Sequence, residues 1–217
     1  LPDGHATIRP VLHLDDIVAG LAGHVPQRLP PPPTTKQRAS VALVLAGPAD
    51  DLRLCLIRRA QRADDPWSGH MALPGGRADE GDAHARAVAT RETDEEVGLG
   101  LTDAHHLGDL DEMPLRPDRP TPAVLSPFAF FAGPTCPPLR PEPAEVADAH
   151  WIRLAHLWQP AHVTTMPWTH EGRAMKFPGI RVGDHVVWGL TLRVLMSFGD
   201  AVGQPLPLRG DALAPRR

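Results

Sequence analysis

Three glutamates crowded into one turn constrain this chain more than any other feature. In Arg91-Glu92-Thr93-Asp94-Glu95-Glu96-Val97-Gly98-Leu99, a helix would set Glu92, Glu95 and Glu96 at i, i+3 and i+4. Their carboxylates would share a face, and each like-charged pair on a helix costs a few tenths of a kcal/mol. Folding alone gives no reason to build such a cluster. Hard oxygen ligands around Mg²⁺ or Mn²⁺ do, because the cation cancels the repulsion.

A solvated acidic face is the competing reading, and the helical phase argues against it. Ala85, Val88 and Ala89 form an inward stripe, and steps of four from Val88 give Glu92 and then Glu96. Val97 extends the inward arc, while Asp94 falls on the outward side. Buried carboxylates must be paired or metal-bound, and the single Arg91 cannot neutralise three.

Upstream lies the segment Pro66 to Gly76, ending in Leu73-Pro74-Gly75-Gly76. Pro74 biases Leu73 towards an extended conformation, so a strand is expected to end at the glycines. Adjacent glycines let a ligand or metal approach the backbone closely, which makes Gly76 a candidate carbonyl ligand. Asp82 is the expected N-cap of a helix over residues 83–97, with Gly98 just past its last turn.

Gly76 through Leu99 resembles the Nudix box, Gly-x5-Glu-x7-Arg-Glu-U-x-Glu-Glu-x-Gly-U, where U is bulky and apolar. Arg91, Glu92, Glu95, Glu96, Gly98 and Leu99 match their positions. Thr93 replaces a bulky apolar residue. Ala83 stands eight before Arg91, where the box has Glu, because the spacing from Gly76 is one residue longer; Asp82 lies next door. Trp67 to Gly76, together with Val187-Trp188-Gly189-Leu190-Thr191, is similar to the coenzyme A pyrophosphatase-like branch, which commonly has Gln at the place of His70.

The resemblance implies an α+β fold, the Nudix α/β/α sandwich with a mixed β-sheet. It also implies divalent-metal-dependent hydrolysis of a pyrophosphate bond in a nucleoside diphosphate derivative. Coenzyme A, giving 3′,5′-ADP and phosphopantetheine, is the expected substrate. ADP-ribose, dinucleotides or oxidised nucleotides are the alternative, and a non-catalytic nucleotide-binding module is a third. Glu92, Glu95, Glu96 and Arg91 are the catalytic candidates, with Glu92, Glu95, Glu96 and Gly76 as metal ligands. Any helix glutamate could serve as the base, as could Glu112 or Glu145 from loops. Substrate contacts are expected from Arg58, Arg59, Trp67 and His70.

A net charge of −4 does not advertise nucleic-acid or membrane binding. Cys55 and Cys136 show no metal-binding spacing and suit a reduced, cytoplasmic setting. Pro30 to Pro33 form a stiff segment that divides the expected organisation into an N-terminal arm (1–35), the catalytic domain (36–200) and a flexible tail (201–217). The arm could embrace a second copy in a homodimer. Helices are expected at 15–21 and 190–198, and strands at 40–45, 52–57, 107–110, 125–131 and 146–152. The proline-dense 114–122 and 134–143 read as loops.

Overall fold

A computed structural model describes residues 12–63, 67–115, 123–170 and 173–208. Pro66, most of the loop expected at 114–122, and the tail beyond Leu208 lie outside them. The apolar run after Lys36 forms β1 (Arg38–Ala46), which is buried on both sides. Its residues alternate between two cores: Leu43 and Leu45 enter one, Ala42 and Val44 the other. That double burial explains a run without polar alternation.

Around β1 assembles a mixed sheet. β2 (Arg53–Arg59) pairs with it antiparallel, as does β4 (Gly75–Arg77), while β7 (Ala123–Phe131) runs parallel to it. β3 (Met71–Ala72) and β8 (Val146–Arg153) flank β2; β5 (His106–Asp109) and β6 (Met113–Leu115) pair with β7. One face is covered by α2 (Ala85–Val97). The other carries α1 (Leu14–Gly23), α3 (Gly189–Ala201) and a three-stranded antiparallel sheet of β9 (Val163–His170), β10 (Arg173–Val182) and β11 (His185–Trp188). This is the expected α/β/α sandwich.

Four sequence expectations change. Gly75-Gly76 begins strand β4 instead of ending one, because its backbone pairs with Ser40 and Val41. The second sheet was not foreseen: its prolines and scattered polar residues hide the alternation of an exposed hairpin. Ile17 and Leu21 of α1 are buried in the main core, so the helix of the expected arm packs on its own body. Val202 and Leu206 are buried there too, so the expected tail starts out packed on the core, and its residues beyond Leu208 lie outside those described.

Candidate active site

Packing against β1 and β4 sets the phase of α2. Val88, Ala89, Thr93, Glu96 and Val97 are buried and Asp94 is exposed, the arc expected from the sequence. Thr93, at the position where the box carries a bulky apolar group, satisfies its hydroxyl on the Ala89 carbonyl at 2.7 Å. The helix starts two residues later than expected. His84, not Asp82, is the N-cap, accepting a hydrogen bond at Nδ1 from the Ala87 N–H. Gly98 ends the helix with φ 68°, a left-handed conformation that suits glycine.

Glu96 is 3% exposed, and its Oε2 accepts a hydrogen bond from the Gly75 N–H at 2.8 Å. Burial pushes its carboxyl up to about 8; Glu92 and Glu145 add repulsion, and the Gly75 N–H and Arg59 oppose the rise. Glu92 is also raised, first by burial, then by Glu95 and Glu145, with Arg91 pulling the other way. The Glu92 carboxylate occupies the space a Cβ on Gly76 would fill. Gly75 is equally obligatory: with φ 147°, a side chain there would strike the β1 backbone at Ser40 and Val41. Each glycine of the pair is thus required by a different neighbour.

Arg91 organises the outer side. Its Nε and Nη2 bind both oxygens of Asp82, Nη2 also donates to the Arg77 carbonyl at 3.1 Å, and Nη1 reaches Glu92 at 3.0 Å and Glu95 at 2.8 Å. The Arg91 guanidinium holds the Asp82 carboxyl below its ordinary range. Asp82 lies six positions after Gly76, where the box places its first acid. The extra residue falls between Asp82 and Arg91, so counting forward from the glycine finds the partner that counting back from the arginine misses.

Not every candidate converges here. Glu95 is the most outward of the three glutamates, with its side chain 58% exposed and bound to Arg91. Among the described residues, no three His, Cys, Asp or Glu side chains stand as a ready-made cage for an ion. A divalent cation nevertheless suits the donor chemistry of Glu92 and Glu96, two raised carboxylates that repel one another. Arg59 and Glu145 belong to the same neighbourhood, since both act on Glu96, and the Glu145 carbonyl accepts the N–H of Ala60 beside Arg59 at 2.8 Å.

Arg58 leaves the site. Alternation sends it to the face opposite Arg59, where it ion-pairs with Asp148 on β8. Glu112 is structural too: it accepts from the Leu29 N–H at 2.8 Å and the Ser126 hydroxyl at 2.9 Å. Trp67 and His70 join an aromatic cluster that sequence reading did not assemble. Trp67 stacks on Trp168 with centroids 5.7 Å apart, and His70 meets Trp188 edge-on at 5.1 Å. Trp168 came from the unforeseen sheet, so no local signal linked the two. The cluster adjoins Arg59, whose N–H bonds the His70 carbonyl. Among the described residues, no helix is long and apolar enough to cross a membrane.

A family model for the NUDIX domain matches residues 36–169. Uncharacterized protein C14C4.10c of Schizosaccharomyces pombe is 40% identical over 124 residues, covering 56% of this chain and 37% of that protein. Human mitochondrial coenzyme A diphosphatase NUDT8 is 35% identical over 139 residues, covering 61% of this chain and 56% of that one. The chain therefore spans about half or less of these relatives' length. A MutT/nudix family protein from Enterococcus faecalis shares the fold with a TM-score of 0.55 at 20% identity, covering 84% of this chain and 66% of its own. Box, sandwich and family match agree, and the chain belongs to the Nudix family.

Proposed function

We propose that this protein hydrolyses a pyrophosphate bond in a nucleoside diphosphate derivative, with a divalent cation, Mg²⁺ or Mn²⁺, held by Glu92 and Glu96. The observation that carries the reading is Glu96: a buried carboxylate anchored by the Gly75 N–H one helical turn from Glu92. Neither acid is explained by folding, since both are destabilised by burial and by neighbouring carboxylates, Glu95 and Glu145 for Glu92, Glu92 and Glu145 for Glu96. Nudix hydrolases generally use divalent cations. When bound, such an ion relieves phosphoryl charge and acidifies water. The chain's own residues do the rest: the Gly75 N–H fixes Glu96, Arg91 orients Glu92, and Arg59 brings positive charge to the side where a phosphate would lie.

Glu145, which repels both Glu92 and Glu96, is the loop acid best placed to take a proton from water in this reading. Coenzyme A is the substrate we favour, supported by the segment Trp67 to Gly76 and by the human relative whose name states that activity. Trp67, half exposed at the rim of the aromatic cluster, would stack on the base. We place the protein in the cytoplasm on its two free thiols.

Product analysis after incubation with Mg²⁺ or Mn²⁺ tests this, using a panel of coenzyme A, ADP-ribose, dinucleotides and nucleoside triphosphates. We expect 3′,5′-ADP and phosphopantetheine from coenzyme A, with Glu96→Gln inactive. Preference for another member would retain the hydrolase and remove the substrate; turnover surviving in Glu96→Gln would remove the site.

A further inference from the structure

One buried hydroxyl beside the site meets no protein partner. Ser40 is 1% exposed, and among the described residues its Oγ reaches no hydrogen-bonding atom. Leaving such a group unpaired is destabilising, so buried hydroxyls are ordinarily satisfied by protein or by ordered water.

Strand register fixes what this hydroxyl faces. Ser40 pairs with Gly76 on one side and with Ser126 on the other. Directly opposed residues project to the same face, roughly 5 Å apart. That face is the one under α2, because Ala42 and Val44, two and four residues along β1, enter the core there. Gly76 has no side chain, and the Glu92 carboxylate fills the space its Cβ would take. Ser126, 6% exposed, donates to Glu112 Oε1 at 2.9 Å and keeps lone pairs to accept with. Ser40 Oγ thus shares a face with the Glu92 carboxylate over Gly76 and with Ser126, and hydrogen-bonds directly to neither. One bridging water would join the three.

We propose that Ser40 is a positioning residue for Glu92. With Ser126, its hydroxyl holds a single ordered water that donates to the Glu92 carboxylate and keeps it seated over Gly76, leaving the other carboxylate oxygen for the cation. The assignment rests on Glu92 as a cation ligand, as read above. Apolar packing alone would be served equally by alanine at this position, as it is at Ala42 on the same face. The hydroxyl is therefore the feature to be explained.

Titration of the metal-free full chain with Mn²⁺, followed calorimetrically and by the electron paramagnetic resonance of free Mn²⁺, tests the role without relying on turnover. We expect Ser40→Ala to weaken Mn²⁺ binding about tenfold while the metal-free melting temperature is unchanged or higher. Ser126→Ala should weaken binding in the same direction, and Ser40→Thr, which restores a hydroxyl, should recover most of it. Wild-type affinity in Ser40→Ala would overturn the proposal and leave Glu92 as a ligand. Absence of Mn²⁺ binding by the wild type would overturn both. A Ser40→Ala variant that loses affinity only in proportion to a fallen melting temperature would show a structural role and overturn it too.

Discussion

Arg91 clamps Asp82 with two nitrogens, Nε to Oδ1 at 3.1 Å and Nη2 to Oδ2 at 3.0 Å. The clamp ties the loop after β4 to the middle of α2, and the same guanidinium reaches Glu92 and Glu95. One side chain therefore couples loop closure to the placement of a candidate ligand.

Asp82→Asn should destabilise the protein by about 2 kcal/mol, the scale of hydrogen bonds to charged groups, lowering the melting temperature by roughly 4–8 °C. Because the folded carboxyl is held low, its stabilisation is present above the ordinary aspartate range and is lost as pH falls through the folded value. Thermal melts from pH 7 to pH 2 should show wild type and variant converging in acid. A constant gap would sink this account.

Gly76→Ala sets a methyl group where the Glu92 carboxylate lies, whereas nothing approaches the same position on Gly81. We expect hydrolysis to fall at least about tenfold in Gly76→Ala, a transition-state loss of about 1.4 kcal/mol. Gly81→Ala should be unaffected. Equal rates in the two variants would show that Glu92 tolerates displacement.

Glu96 has its carboxyl pushed up to about 8 from 4.5. The folded state then holds a proton that the unfolded state releases, so metal-free stability should fall as pH rises through that window. Its slope is at most about 1.4 kcal/mol per pH unit. Adding Mg²⁺ should offset the loss at the alkaline end, and Glu96→Gln should flatten the profile. A flat wild-type profile without metal would mean that the burial penalty is relieved some other way.

Trp67 is 49% exposed, unlike Trp188 beneath it at 7%. Trp67→Ala should raise KM about tenfold with kcat little changed, the value of one stacking contact. A fall in kcat at constant KM would instead place Trp67 in ordering the loop before Gly75.

The acidic helix and its buried face were legible because period and charge conflict in a few consecutive residues, which needs no tertiary knowledge. The sheet core was legible for a similar reason: uninterrupted runs such as Val41 to Ala46 are explained by burial on both faces. What the sequence hid was pairing at a distance. Arg58 and Arg59 look equivalent in line, yet alternation sends one to Asp148 and the other towards Glu96. Glu112 looks like a free acid until Leu29 and Ser126 close on it. Trp67 and Trp168 lie about a hundred positions apart and meet only because β9 folds back.

The parallel pairing of β1 with β7 joins Arg38–Leu45 to Val124–Phe131, a constant offset of 86 positions. Gly76, Glu92 and Glu96 all lie inside that span. Closing so long a loop is entropically slow, and its return comes only when both strands are in place. During synthesis, β7 must emerge from the ribosome before the sheet beneath α2 can be completed. The helix acquires its shape early, but its glutamates meet their final surroundings late, and nascent chains short of residue 131 would hold the candidate ligands without the site.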